Sequence, residues 1–162
     1  MLTLLVLACT SEPDESASDV WVVYGVLDTE SVLFNLNFAG QPVGPKDVLA
    51  SCPLGGTAHI VGATGNDGTI ESADLTITME DCANSGLDYD LSFNGVLVWQ
   101  GTFASTGYKM MTTQSDSLEV VGSCGGAIDG IDRTCALAVT DRGEAGQESY
   151  VTGEWCGRPV EF

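Results

Sequence analysis

Cations are scarce in this chain. Five Lys and Arg stand against 23 Asp and Glu over 162 residues, a formal net charge of −18. A surface of that sign repels phosphate backbones and anionic headgroups, which excludes nucleic-acid binding and polybasic membrane contact. Histidine occurs once, as His59, and the closest two cysteines are Cys124 and Cys135. A zinc centre needs closely spaced Cys or His ligands, so none is legible and the metal set is empty. There is no Gly-x-Ser-x-Gly elbow, no Gly-x-Gly-x-x-Gly and no Walker sequence, and no cofactor is implied. No run of 18 apolar residues occurs either. What is present is 44% apolar residues, enough for one domain to bury a core.

The N-terminus changes character abruptly. Leu2 to Ala8 is an apolar run, Cys9 follows, and Thr10 to Asp19 is a polar tract holding Glu12, Asp14, Glu15 and Asp19 without a cation. The step Val6-Leu7-Ala8-Cys9 resembles the bacterial lipobox, whose cysteine is diacylated and becomes the mature N-terminus. It departs from that pattern in lacking a Lys or Arg n-region and in the shortness of its apolar run, which a start upstream of Met1 would explain. The resemblance implies a signal segment over 1–9, lipid attachment at Cys9, and a lipid-anchored protein. Thr10, where enteric inner-membrane lipoproteins carry Asp, points to the outer membrane. Residues 10–19 then read as a disordered acidic tether, and 20–162 as a single domain. That domain keeps 19 of the acids. Short acidic chains of this style resemble envelope lipoproteins of myxobacteria and related bacteria.

Beyond residue 20 the apolar residues alternate with period two. Val32, Phe34, Leu36 and Phe38 form one such series, and Ala73, Leu75, Ile77 and Met79 another. Both read as half-buried strands. Tyr89 to Gln100 reads as a hairpin about Asn94-Gly95, a dipeptide suited to a type I′ turn because both residues tolerate positive φ. Further strands are expected over 20–27, 57–63, 108–113, 118–123, 135–140 and 149–155, with a short helix near Pro45 to Ala50. About nine or ten short strands predict an all-β antiparallel sandwich or small barrel. A transmembrane barrel is disfavoured, because the alternate positions Arg158, Cys156 and Glu154 before the terminal Phe162 are not a lipid-facing series.

With Cys9 assigned to the anchor, five cysteines remain. Cys52 and Cys82 are equidistant from Asn66-Asp67-Gly68, and Cys135 and Cys156 from the middle of Asp141 to Gln147. Residues so placed face one another across an antiparallel hairpin, within the reach of a disulfide. Cys124 is then unassigned, and a Cys124 to Cys135 bridge is the competing choice. Without acylation of Cys9, three bridges are open to six cysteines. The first pair carries a parity conflict. Placing Ala58 and Ile60 on the same face as Leu75 and Ile77 requires an odd pairing sum, and Cys52 with Cys82 is even. Either a bulge intervenes or Val61 faces the core.

Candidate chemistry is thin. His59 falls on the face of its strand opposite Ala58 and Ile60, a surface position. Asn66-Asp67-Gly68 and Asp129-Gly130-Ile131-Asp132 offer hard oxygens for calcium, though such residues also simply make turns. No catalytic residue is assigned. The whole reads as a lipid-anchored cell-envelope lipoprotein whose acidic β domain is a binding or structural module for a protein or glycan partner. The alternative is a hydrolase of envelope or extracellular polymers working through paired carboxylates.

Overall fold

The computed structural model describes residues 15–107, 109–124, 128–144 and 149–162. A helix, α1 (Glu15–Asn37), is followed by β1 (Gly44–Ser51), β2 (Gly55–Asn66), β3 (Glu71–Ser85), β4 (Tyr89–Phe103), β5 (Lys109–Cys124), β6 (Ile128–Gly143), β7 (Tyr150–Trp155) and β8 (Arg158–Glu161). The eight strands form one antiparallel sheet in chain order, each paired with the next. The sheet is open. Among the described residues neither a sandwich nor a closed barrel is formed, and eight strands stand in place of the nine or ten expected.

The helix corrects the largest expectation. Residues 20–27 and 32–38 are helical rather than extended, and the tract taken as a tether joins the fold from Glu15 onward. Signal segment 1–9 and residues 10–14 lie outside the described residues. Burial explains the misreading. Ser18, Asp19, Val22, Val23, Val26, Thr29, Glu30, Leu33 and Phe34 are buried at helical spacing, but four of these nine are polar. A stripe of mixed polarity carries no hydropathy period. Leu36, which completed the apparent alternation, is 71% exposed. Five valines in α1 disfavour helix locally, so packing against the sheet supplies the stability that propensity does not. Gly40, at φ 71°, ends the turn that follows.

The sheet curls round this helix. Alternate residues of each long strand point inward, as Leu75, Ile77 and Met79 do on β3 and Leu97 and Trp99 on β4, and α1 touches β1, β3, β4, β5 and β8. Both edges and the middle of one sheet therefore reach one helix. Strands of 15 or 16 residues must bend to do this, and they bend at bulges. Register shifts fall between Met79 and Cys82, between Gly95 and Val98, and between Ser115 and Leu118, at one level across β3, β4 and β5.

Asn94-Gly95 belongs to that line and is not a hairpin turn, since β4 runs unbroken through it. Gly95 has φ 136°, and a Cβ there would lie 2.7 Å from the Ser117 carbonyl oxygen. Asn94 accepts the Asp81 amide N–H and donates to the Asp81 carboxylate, bonding the bulge of β4 to that of β3. Turn and bulge make the same demand for positive φ, which is why the dipeptide pointed to the wrong one. Pro45 to Ala50 is the edge strand β1, not a helix. Proline is tolerated there because an edge has unpaired backbone positions.

Cys52–Cys82 and Cys135–Cys156 are disulfides, with Cα separations of 5.3 and 4.9 Å. These are the pairs picked by symmetry about the turns. The parity conflict resolves through a bulge between Gly55 and Thr57, so Ile60 is buried at 1% exposure while Val61 is 41% exposed. Cys124 is buried and free. The buried Asp19 carboxylate accepts from Arg158 Nη2 at 2.8 Å and Arg133 Nη1 at 3.3 Å, tying α1 to β8 and β6.

Candidate functional site

One side of α1 is left uncovered by the sheet. Trp21, Tyr24, Asp28, Ser31 and Asn35 follow one another at three- and four-residue spacing and line three cavities in succession. The first, of about 610 Å³, lies between Trp21, Tyr24, Asp28, Leu87, Tyr89 and Phe162. A second, of about 310 Å³, shares Tyr24, Asp28 and Phe162 with the first and adds Lys109 and Asp141. The third, of about 290 Å³, shares Ser31, Lys109 and Ser149 with the second and ends on Phe34, Trp99 and Phe103. Together they make a crevice. From Trp21 to Asn35 at ~1.5 Å per residue it is about 21 Å long.

Aromatic rings form its walls. Tyr24 meets Trp21, Tyr89 and Phe162 with centroids 5.8, 6.1 and 6.4 Å away, and Phe34 meets Trp99 and Phe103 at 5.3 and 5.2 Å. Such edge contacts hold the rings in fixed orientations. The polar groups are equally fixed. Asp28 accepts from the Tyr89 hydroxyl and from Asn84 Nδ2, and Asn84 Nδ2 also reaches Thr29 Oγ1 at 3.1 Å. Burial and the Asp28 carboxylate together raise the Tyr89 pKa well above its ordinary value, so its hydroxyl remains a donor.

Beneath the middle cavity lies an uncompensated group. Lys109 Nζ pairs with Asp141 Oδ2, yet Asp141 Oδ1 is buried without a partner. Behind them Glu30 is fully buried, accepts from Thr113 Oγ1 at 2.7 Å, and leaves Oε1 without a partner. Burial pushes the Glu30 carboxyl up to about 8, against the opposing effects of the Thr113 bond and Lys109. Glu30 is therefore protonated at neutral pH. A buried polar atom without a partner costs roughly 1–3 kcal/mol.

No protein-family model matches this chain, and no curated protein or solved structure matches it. Its chemistry must be read from its own residues.

Of the residues singled out from sequence, Cys9 lies outside the described residues. His59 is on the outer face, its Nε2 2.7 Å from Asp47 Oδ1. Asp67 Oδ1 accepts the amides of Thr69 and Ile70 and the Thr69 hydroxyl, while Asn66 Oδ1 accepts the Gly68 amide. Those bonds hold the Asp67 carboxyl below its ordinary pKa. They are turn chemistry. The Asp129 side chain lies outside the described residues, and among those described no three His, Cys, Asp or Glu cluster to hold a metal ion. Asp28, Glu30, Lys109 and Asp141 were not singled out. Reading 20–38 as strand separated Asp28 and Glu30 from the partners a helix gives them; the only available hint was that Asp19 and Glu30 stand three helical turns apart.

Proposed function

We propose that this protein is an extracytoplasmic binding protein that holds a small elongated ligand in the crevice beside α1, and that the lipobox-like cysteine, Cys9, anchors it to the outer membrane. The observation that carries the reading is the run of three joined cavities, walled by ordered aromatic rings and floored by Asp28, Lys109 and Asp141. A site of this kind, largely apolar with a few fixed polar groups, is what small-ligand recognition requires. Two disulfides suit an oxidising compartment outside the cytoplasm. No described helix is long and apolar enough to cross a membrane.

The test is to block the crevice at its waist. Ser31 lines both the second and third cavities, and Ser31→Trp fills the junction without touching the buried stripe of α1. Native mass spectrometry of protein recovered from the membrane fraction should find a bound small molecule in the parent and little or none in the variant, at an equal melting temperature. Equal occupancy in both would refute the reading. Acyl groups on Cys9 in the same spectra, lost in Cys9→Ser, test the anchor. A second reading, a carboxylate-dependent hydrolase, rests on Asp28 and Asp141 lining one cavity. It predicts cleavage of an envelope polymer that Asp28→Asn abolishes.

A further inference from the structure

We infer that Val20, Trp21, Tyr24, Leu87 and Phe162 form the face on which this domain rests against the bilayer that holds its anchor. The inference rests on the reading of Cys9 as a lipidated cysteine and names the surface that the anchor brings to the membrane.

Exposure sets these residues apart. Leu87 sits in the turn between β3 and β4 and is fully exposed, at 103%, so it has no packing role within the domain. Tyr24 is 46% exposed, and Val20, Trp21 and Phe162 are half-buried. All five line one cavity, the first of the crevice, and the Tyr24 ring meets those of Trp21 and Phe162. A contiguous apolar surface open to water marks a contact with something apolar, whereas a lone exposed leucine does not.

The chain that leads into this face decides what covers it. Glu15 follows Cys9 by six residues, a span of at most ~21 Å whatever their conformation. Trp21 lies six helical residues beyond Glu15, a rise of ~9 Å. An acylated Cys9 therefore keeps the start of α1 beside the headgroups, and the aromatic face less than two turns further on. A link this short makes contact with the bilayer an intramolecular event at an effective concentration of roughly millimolar, so a small patch suffices. A protein partner would have to arrive by diffusion, while the bilayer is already there.

The residue types suit that occupant. Trp and Tyr settle at headgroup level, with the ring on the acyl chains and the polar edge in water, and an exposed Leu enters the hydrocarbon. Charge then selects among lipids. Asp28 and Asp88 line the same cavity without a Lys or Arg beside them, and Glu12, Asp14 and Glu15 follow Cys9 without a cation. Zwitterionic headgroups accept such a face, and anionic ones repel it.

The acylated full chain, recovered from its membrane fraction, is reconstituted into phosphatidylcholine vesicles whose acyl chains carry bromine, a contact quencher of tryptophan. Trp99 and Trp155 are buried, so quenching belongs to Trp21. The parent should lose emission relative to unbrominated vesicles, and Trp21→Phe should lose none. Leu87→Asp changes a side chain wholly in water, leaves the fold intact, and should abolish the loss. Leu36→Asp places the same charge on an exposed leucine at the far end of α1 and should change nothing. Phosphatidylglycerol added to the vesicles should weaken the quenching. A photo-crosslinking residue in place of Leu87 should label lipid in native membranes. Acyl groups on Cys9 with Trp21 unquenched, or quenching insensitive to Leu87→Asp, would overturn the docking face and leave the anchor standing. Cross-links to a second copy or to another protein would assign the face to that partner and overturn the inference as well. Cys9 without acyl groups would overturn both.

Discussion

Glu30 is an acid kept neutral by its surroundings. Its ordinary pKa of 4.5 applies to the unfolded chain, and burial carries it to about 8 in the folded one. Below pH 4.5 the group is protonated in both states and has no influence on the pH dependence. Between 4.5 and about 8 the unfolded chain gives up the proton while the folded chain keeps it. Stability must then fall as pH rises, by about 1.4 kcal/mol per pH unit from this one group, and level off above pH 8. Glu30→Gln removes the titration and keeps the Thr113 hydroxyl within reach of an acceptor. Urea unfolding of parent and variant at pH 5, 7 and 9 should show their difference growing in favour of the variant. Parallel stability curves would mean that Glu30 is charged, and so not in the interior described here.

At the scale of elements, α1 is held by charge at its start and by aromatic packing at its end. Asp19, 3% exposed, binds two arginines whose side chains are 30% and 35% exposed, Arg133 on β6 and Arg158 on β8. Removing the carboxylate takes a buried anion away from two guanidinium groups that are only partly in water. Asp19→Ala should cost about 2–3 kcal/mol, less than a fully buried pair would, because both arginines reach solvent. Hydrogen exchange should locate the loss in the first turns of α1 and in β8. An unchanged melting temperature would argue against the contact.

The same element shows where sequence reasoning reaches its limit. The inward series on β3, the disulfide pairs, the parity conflict that left a bulge as one of two answers and the outer position of His59 were all legible, because period two and turn symmetry are local properties. Helix α1 was not, because the residues that bury its stripe are drawn from both polarities. Asp19, Thr29 and Glu30 are inside only by virtue of partners on β3, β5, β6 and β8, and nothing local announces a partner 83 residues away, as Thr113 is from Glu30. With the helix unread, the crevice that forms along it was unreadable too. Asn94-Gly95 failed for another reason: the residue requirement was correctly identified, but two structures share it.

Over the whole molecule, the charge of −18 divides by position. Lys109, Arg133 and Arg158 are paired with Asp141 and Asp19 on the helix side of the sheet. Of the five cations only Lys46 and Arg142 are left to balance acids such as Asp47, Asp74, Asp90 and Asp132 on exposed positions. The outer face is therefore predominantly anionic, a surface that favours solubility and repels like-charged polymers. The crevice differs in having fixed polar groups, one lysine and ordered rings within the same space. Acidity outside is generic, and acidity inside is placed.

That contrast is most directly tested by mapping where the small molecule carried by the native protein sits. Amide chemical-shift differences between the ligand-bound and the ligand-stripped isotopically labelled protein report the location residue by residue. The account predicts changes concentrated at Tyr24, Asp28, Ser31, Lys109, Asp141 and Phe162. Changes spread over Asp47, Asp74, Asp90 and Asp132, with the crevice silent, would contradict it.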